Sequence, residues 1–207
     1  MNRLDFPYDA VVLASGDYPS AALPLRCLTE APYVVCCDGA ANEYLRRGYV
    51  PDAIIGDGDS LATAYRRTYA HLFHPVACQE TNDQTKAVNF LAARGMRRLL
   101  LLGATGRRED HTLGNIFLLM EYLKADLDVR MLTDHGLFTP MRGTHTFASH
   151  KGQQISLFRL GATGLSATGL AYPLRDFTAL WQGTLNEALG ETFTITAQGD
   201  YLMYQTL

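Results

Sequence analysis

The residues of this chain best suited to chemistry are the two aspartates of Gly56-Asp57-Gly58-Asp59-Ser60. Carboxylates two residues apart repel one another unless something positive sits between them, and their hard oxygens suit Mg²⁺ or Ca²⁺. The intervening glycines let the backbone turn sharply and let a ligand come close. Taken alone, the stretch reads first as a solvated Asp-Gly turn, so its meaning depends on what accompanies it.

Further acidic residues stand in Asp38-Gly39 and in the polar loop Gln79-Glu80-Thr81-Asn82-Asp83. Gly103-Ala104-Thr105-Gly106 opens a helical pattern, where unpaired backbone N–H groups and the positive end of the helix dipole face an anion. The Gly-x-x-x-x-Gly-Lys-[Ser/Thr] phosphate loop is absent. Beside the glycines, Arg108 offers a planar fork for phosphate, and Asp110-His111 sets a carboxylate and an imidazole at the same helix start. Each feature also has a plainer reading: a helix cap for each acid, a strand-to-helix turn for the glycines, a solvated pair for Arg107 and Arg108.

The elements that must position these groups follow from hydrophobic periodicity. Short apolar runs at 10–14, 33–37, 53–55, 73–77, 98–102 and 128–133 predict strands. Helical patterns cover 20–30, 40–48, 60–70 with Ser60 as N-cap, 84–94 and 111–124. This βα alternation predicts an α/β domain with a mostly parallel sheet flanked by helices, and such sheets bind ligands beyond the strands' C-terminal ends. Asp38, Asp57 with Asp59, the Glu80/Asp83 loop and the 103–111 loop each follow a strand end. They are therefore expected at one edge of one sheet; capping explains any one of the four well and all four together less well.

After about Gly136 the texture changes to short alternating runs rich in Gly and Thr. Strands are expected at 143–147, 154–158, 169–172, 192–197 and 201–204, packed as a smaller all-β antiparallel sandwich. The expected domains are 1–135 and 136–207, with Thr139-Pro140 in the connecting stretch. The formal net charge of −3 provides no broad basic surface, which argues against a nucleic-acid-coating role and for small-molecule partners. No apolar run reaches the roughly 18 residues of a membrane span, and the first residues lack a signal peptide's apolar core, so a cytoplasmic location is expected. Cys27, Cys36, Cys37 and Cys78 lack Cys-x-x-Cys spacing and read as reduced thiols.

Together these motifs resemble the thiamine pyrophosphokinase family. Asp38-Gly39-Ala40-Ala41-Asn42, Gly56-Asp57-Gly58-Asp59-Ser60, Glu80-Thr81-Asn82-Asp83 and Gly103-x-x-Gly106-x-Arg108-x-Asp110-His111-x-x-x-Asn115 stand in that family's order. Ile155-Ser156-Leu157, Gly169-Leu170-x-Tyr172-x-Leu174 and Gly183-Thr184-Leu185-Asn186 extend the likeness into the β-rich part. The resemblance implies Mg²⁺-dependent transfer of a diphosphoryl group from ATP to the hydroxyl of thiamine, giving thiamine diphosphate and AMP. It implies Asp57, Asp59 and Asp83 as metal ligands with Asp38 in the same acidic cluster, and Arg108, Gly103 and Gly106 on the phosphates. Asp110, His111 and Asn115 would shape the nucleotide site, and Asp83 or Asp59, with His111 next, would accept the hydroxyl proton. It further implies a homodimer paired through the sandwich domains, with thiamine between one chain's α/β domain and the other's sandwich, near Tyr172, Thr184 and Asn186. Trp181 is expected in the sandwich core.

The chain departs from the family pattern at Ala40 and Arg107, where glycines are usual, at Glu80 and Asn82, and at Leu185, where serine is usual. Two other functions compete: a diphosphotransferase for another hydroxylated heterocycle, and a non-catalytic nucleotide- or thiamine-binding module. Binding alone would not need so many repelling carboxylates, which counts against the second.

Overall fold

Four consecutive apolar residues, Ala10–Leu13, form strand β1, and all four are buried. The same holds for β2 (Val34–Cys37) and β3 (Ala53–Gly56), as expected of parallel strands covered on both faces. In this computed structural model, which describes residue 4, residues 6–78 and residues 80–207, the sheet continues with β4 (Phe73–Pro75), β5 (Arg98–Leu102) and β6 (Asp128–Leu132). Gln79 of the expected polar loop, and Met1, Asn2, Arg3 and Asp5, lie outside the described residues. β1 pairs with both β2 and β5, β3 joins β2 to β4, and β6 lies beyond β5, every pairing parallel.

The strand order β6-β5-β1-β2-β3-β4 means that the chain grows outward from β1 in one direction and then returns to its other side. Right-handed crossovers therefore put α1 (Ala22–Thr29), α2 (Ala40–Arg46) and α3 (Thr63–Thr68) on one face. On the other face run α4 (Asp83–Ala92) and α5 (Glu109–Lys124), which share side-chain hydrogen bonds from Gln84 and Thr85 to Tyr122. At the N-terminal edge, Asp9 accepts the backbone N–H groups of Arg97 and Arg98, both at 3.0 Å, and the Arg98 guanidinium at 2.7 Å. That one carboxylate ties the start of β1 to the start of β5. Cys36 and Cys37 are buried within β2 as reduced thiols.

Ser60 does not cap a helix. α3 begins after Ala62, which makes no side-chain cap, because Ser60 is engaged elsewhere. Its N–H donates to Asp38 Oδ2 at 2.9 Å and its carbonyl accepts Asn42 Nδ2 at 2.7 Å, while Asn42 Oδ1 takes the Ala62 N–H at 2.9 Å. The strand expected over 73–77 is assigned only over Phe73–Pro75, and the Val76 N–H still donates to the Gly56 carbonyl at 2.8 Å just beyond it.

The chain divides into two compact units, Met1–Asp134 and His135–Leu207. In the second, β7 (Gly136–Arg142), β8 (His145–Ala148), β9 (Gln154–Arg159), β10 (Thr163–Thr168), β11 (Asn186–Glu187), β12 (Thr192–Gln198) and β13 (Asp200–Thr206) form two antiparallel sheets. One runs β11-β9-β13-β7 and the other β10-β12-β8. β12 alternates buried and exposed residues along its length, and its Phe193 and Ile195 meet Ile155, Leu157, Tyr201 and Met203 in the core of a sandwich.

Thr139-Pro140 is not a connection but the middle of β7. The pairs His135/Leu207 and Gly143/Gly199 are joined by backbone hydrogen bonds, and in an antiparallel ladder bonded and non-bonded pairs alternate. Pro140, opposite Leu202, therefore falls on a non-bonded pair, where a missing N–H takes nothing from the ladder with β13. The strand expected at 169–172 reduces to a single bridge, Leu170 with Ala188. Asn186 takes over there: its side chain accepts the Tyr172 N–H at 3.0 Å and donates to the Tyr172 carbonyl at 2.8 Å, in place of a neighbouring strand.

Candidate active site

The sheet reverses its direction of growth between β1 and β5, and a crevice opens there at the strands' C-terminal ends. The two loops that border it are laced together: Ala14 N–H to the Leu102 carbonyl at 2.8 Å, Gly16 to Gly103 at 2.6 Å, and Asp17 to Thr105 at 2.8 Å. Gly106 packs so closely on this lacing that a Cβ there would lie 2.1 Å from the Asp17 carboxylate, and its φ of +80° is one that glycine adopts without strain. Beyond the lacing lies a cavity of about 620 Å³.

Six of the expected site residues line this cavity. Asp57 follows β3 and Asp83 begins α4, while Gly106, Arg108, His111 and Asn115 come from the β5–α5 loop and the first turns of α5. The others stand apart. Asp38 is sealed from solvent at 1% exposure, behind Gly56, whose missing Cβ gives it room: one would lie 2.5 Å from Asp38 Cβ. Asp59 is exposed outside the cavity lining, with its N–H donated to Asp57 Oδ1 at 3.1 Å. Gly103 serves the lacing through its carbonyl, and Asp110 grips Arg108 through two hydrogen bonds of 2.6 and 3.1 Å.

Burial pushes the Asp38 carboxyl above the usual carboxylate range. The backbone N–H groups of Ser60, on Oδ2 at 2.9 Å, and of Gly58 oppose this, while the neighbouring charges of Asp83 and Asp57 add to it; Oδ1 makes no hydrogen bond of good geometry among the described residues. The counterweight to these carboxylates is Lys86, whose side chain is 4% exposed and whose Nζ meets Asp83 Oδ1 at 2.9 Å. Burial works against the Lys86 ammonium, yet the hydrogen bond to Asp83 and the fields of Asp83 and Asp57 together raise its pKa. Sequence reasoning missed Lys86, although its place three residues after Asp83 on a helix start was the available signal. It also left Ser15 and Gly16 out of the site, and both line the cavity.

A hydrogen-bonded relay joins the cavity's two sides. Asn82 caps α4 by accepting the Thr85 N–H at 2.9 Å, and its Nδ2 donates to Asn115 Oδ1 at 2.9 Å. Asn115 Nδ2 then donates to the Ala104 carbonyl at 2.8 Å. Gln84, 3% exposed on the same wall, donates to the Asn115 carbonyl and the Tyr122 hydroxyl, and its Oε1 has no partner among the described residues.

In the second unit, Tyr172, Thr184 and Asn186 line one cavity of about 360 Å³. The Asn186 amide is committed to the Tyr172 backbone, and the Thr184 hydroxyl donates to the Trp181 carbonyl at 2.7 Å. Trp181 is 73% exposed rather than in the core, because the short 3₁₀ helix Leu180–Gly183 carries it outside both sheets. Leu185 is equally exposed, at 71%, and holds a φ of +63°.

A sequence profile described as the thiamin pyrophosphokinase catalytic domain matches residues 25–131, and one described as that enzyme's substrate-binding domain matches residues 136–204. The chain belongs to the thiamin pyrophosphokinase family. Thiamine pyrophosphokinase 1 of Oryza sativa subsp. japonica is 28% identical over 91% of this chain and 87% of its own length. Thiamine pyrophosphokinase 2 of Arabidopsis thaliana is 26% identical over 81% and 75%. Among solved structures, thiamine pyrophosphokinase from Bacillus subtilis superposes with a TM-score of 0.80 at 21% identity, covering 95% of this chain and 98% of that one. The yeast thiamin pyrophosphokinase gives 0.77 at 19%, covering 99% and 90%. These two structures share the fold with this thiamin pyrophosphokinase family member. Being of that family, it is an enzyme, and no helix among its described residues is long and apolar enough to cross a membrane.

The family reaction raises the question of a divalent cation. Among the described residues no three His, Cys, Asp or Glu side chains converge as a metal cage. Mg²⁺ does not need one, since it is usually held by one or two carboxylates with phosphate oxygens and water completing the shell. Asp57 and Asp83 on the cavity lining supply the two hard carboxylates such an ion takes, and the buried Asp38 stands behind them, close enough for their charges to raise its pKa.

Proposed function

We propose that this chain catalyses Mg²⁺-dependent transfer of the diphosphoryl group of ATP to the hydroxyl of thiamine, releasing AMP, in the crevice between the β1 and β5 loops. The observation that carries the reading is one cavity with carboxylates on one wall and phosphate-competent groups on the other. Asp57 and Asp83 are the metal-holding carboxylates, with Asp59 close to Asp57 in sequence and Asp38 reinforcing their field from behind. Bound there, Mg²⁺ would neutralise charge on the phosphate oxygens. The Gly106 backbone and Arg108 hold phosphate oxygens, which requires Arg108 to exchange Asp110 for the nucleotide; its pair with Asp110 is exposed on both sides and therefore weak.

The thiamine oxygen attacks the β-phosphorus, the bond from that phosphorus to the α-phosphate oxygen breaks, and AMP leaves. The hydroxyl proton passes to a carboxylate of the cavity, for which Asp83 is the choice because it lines the cavity and Asp59 does not. His111 and Asn115 shape the nucleotide side, and most of the rate comes from positioning, as in other phosphoryl transfers. In the second domain the cavity of Tyr172, Thr184 and Asn186 receives thiamine; Asn186 acts there by fixing Tyr172. Two copies pair through that domain, a reading supported by exposed Trp181, Leu180, Leu185 and Leu189. The reading includes a cytoplasmic location.

The test is the nucleotide product. Purified protein given ATP, Mg²⁺ and thiamine is expected to release AMP in step with thiamine diphosphate; ADP as the product, or no turnover with thiamine, overturns the reading.

A further inference from the structure

Arg107 lines the cavity beside Gly106 and Arg108, at a position where the family pattern has glycine. Its backbone keeps the glycine geometry, with φ +58°, in the left-handed region that non-glycine residues seldom enter. Such conformations persist where the surroundings impose them and concentrate at ligand sites. The side chain carried there is a guanidinium with five donors and a permanent charge.

Among the described residues Arg107 has no hydrogen bond, ion pair or ring contact. The contrast with its neighbours is sharp: Arg108 is held by Asp110, Arg98 by Asp9, and Arg46 and Arg47 both by Glu43. The Asp17 carboxylate packs against Gly106 and still forms no pair with Arg107. The cation of this loop that is free to meet a ligand is therefore Arg107, since Arg108 must first leave Asp110.

We propose that Arg107 is a second polyphosphate-binding guanidinium that takes hold of the nucleotide's phosphates and sets its affinity. It rests on the reading that the crevice binds ATP. A planar fork matches two phosphate oxygens at once, and Arg107, exposed on the cavity lining, meets the triphosphate before Arg108 is released.

The test uses Arg107→Gly and Arg107→Lys, with α,β-methylene-ATP and inorganic tripolyphosphate as probes in calorimetric titrations with Mg²⁺. Glycine takes this φ freely, so Arg107→Gly is expected to melt at or above the parent temperature. It is expected to bind both probes about tenfold more weakly or worse, the loss of one charge-assisted hydrogen bond, and Arg107→Lys is expected to fall between. In turnover, the KM for ATP rises while kcat changes little, as for an interaction made equally in ground and transition states. If the parent binds the probes and Arg107→Gly binds them equally well, the assignment to Arg107 is overturned and the family reaction stands. If the parent binds neither probe, both the assignment and the ATP reading fall.

Discussion

Replacing Asp38 by asparagine is expected to make the protein harder to unfold. The side chain is sealed at 1% exposure; Oδ2 is matched by the Ser60 N–H at 2.9 Å, and Oδ1 makes no hydrogen bond of good geometry among the described residues. An unsatisfied buried polar atom costs about 1–3 kcal/mol, and more when it is charged. Asparagine has the same shape, keeps an oxygen for Ser60, and turns an NH₂ toward the field of Asp57 and Asp83, where a second oxygen is repelled. A gain of about 1–3 kcal/mol follows, and in a chain of this size each kcal/mol moves the melting temperature by about 2–4 °C. The sign with pH is fixed by the raised carboxyl pKa. The native state holds the Asp38 proton more tightly than the unfolded state, so this residue's contribution falls as pH rises from the ordinary value of 3.8 through the raised native value. Thermal melts of both proteins in chelator, from pH 4 to pH 8, should therefore show a gap that opens as pH rises. An Asp38→Asn melting temperature at or below the parent's at neutral pH, or a gap that does not vary with pH, refutes the argument.

Lys86→Met removes the buried cation that faces Asp83 and Asp57, and it is expected to destabilise the metal-free protein by about 2–3 kcal/mol. That is below the roughly 3–5 kcal/mol of a fully buried pair because Asp83 is one-third exposed; urea denaturation with an unchanged midpoint would contradict the role given to Lys86. Asp9, held below the usual carboxylate range chiefly by its hydrogen bond to the Arg98 side chain, contributes stability that is present above the ordinary carboxylate pKa and lost as pH falls through its lowered value. Asp9→Asn is thus expected to lower the melting temperature at pH 7 and to narrow its difference from the parent below pH 3; an equal loss at both pH values would show that the effect is not ionic.

Much of the first domain was legible because buried parallel strands write themselves as uninterrupted apolar runs, and each such run here ends in a polar loop. That pattern pointed to Asp57, Asp83, Gly106, Arg108 and His111 on one rim without knowledge of the strand order, whereas Asn115 came only from the family resemblance. Ser15 and Gly16 follow the first of these runs just as closely but carry no charge to single them out, and their role depends on β1 lying beside β5, some ninety residues away in the chain. The Ser60 cap failed for a related reason: the serine N–H serves a buried aspartate 22 residues away. Pro140 read as a break because sequence shows a missing donor but not whether the ladder wanted one at that position. Trp181 read as core because size and apolarity favour burial, whereas a short 3₁₀ helix presents it to solvent. The metal and proton-acceptor assignments rest on the same side chains and now have geometry to be tested against.

The relay from Asn82 through Asn115 to the Ala104 carbonyl has a thermodynamic consequence. It makes the loop that bears Asp83 and the loop that bears Gly106 one mechanical body, so neither can loosen without disturbing the other. Whatever ligand first settles against one loop thereby also quiets the second, and the next ligand gives up less freedom on arrival. Linkage makes the benefit mutual: each ligand tightens the other's binding by the same factor. For the ligands proposed here, a cation held on the Asp83 side and a polyphosphate held on the Gly106 side are therefore expected to bind more tightly together than singly.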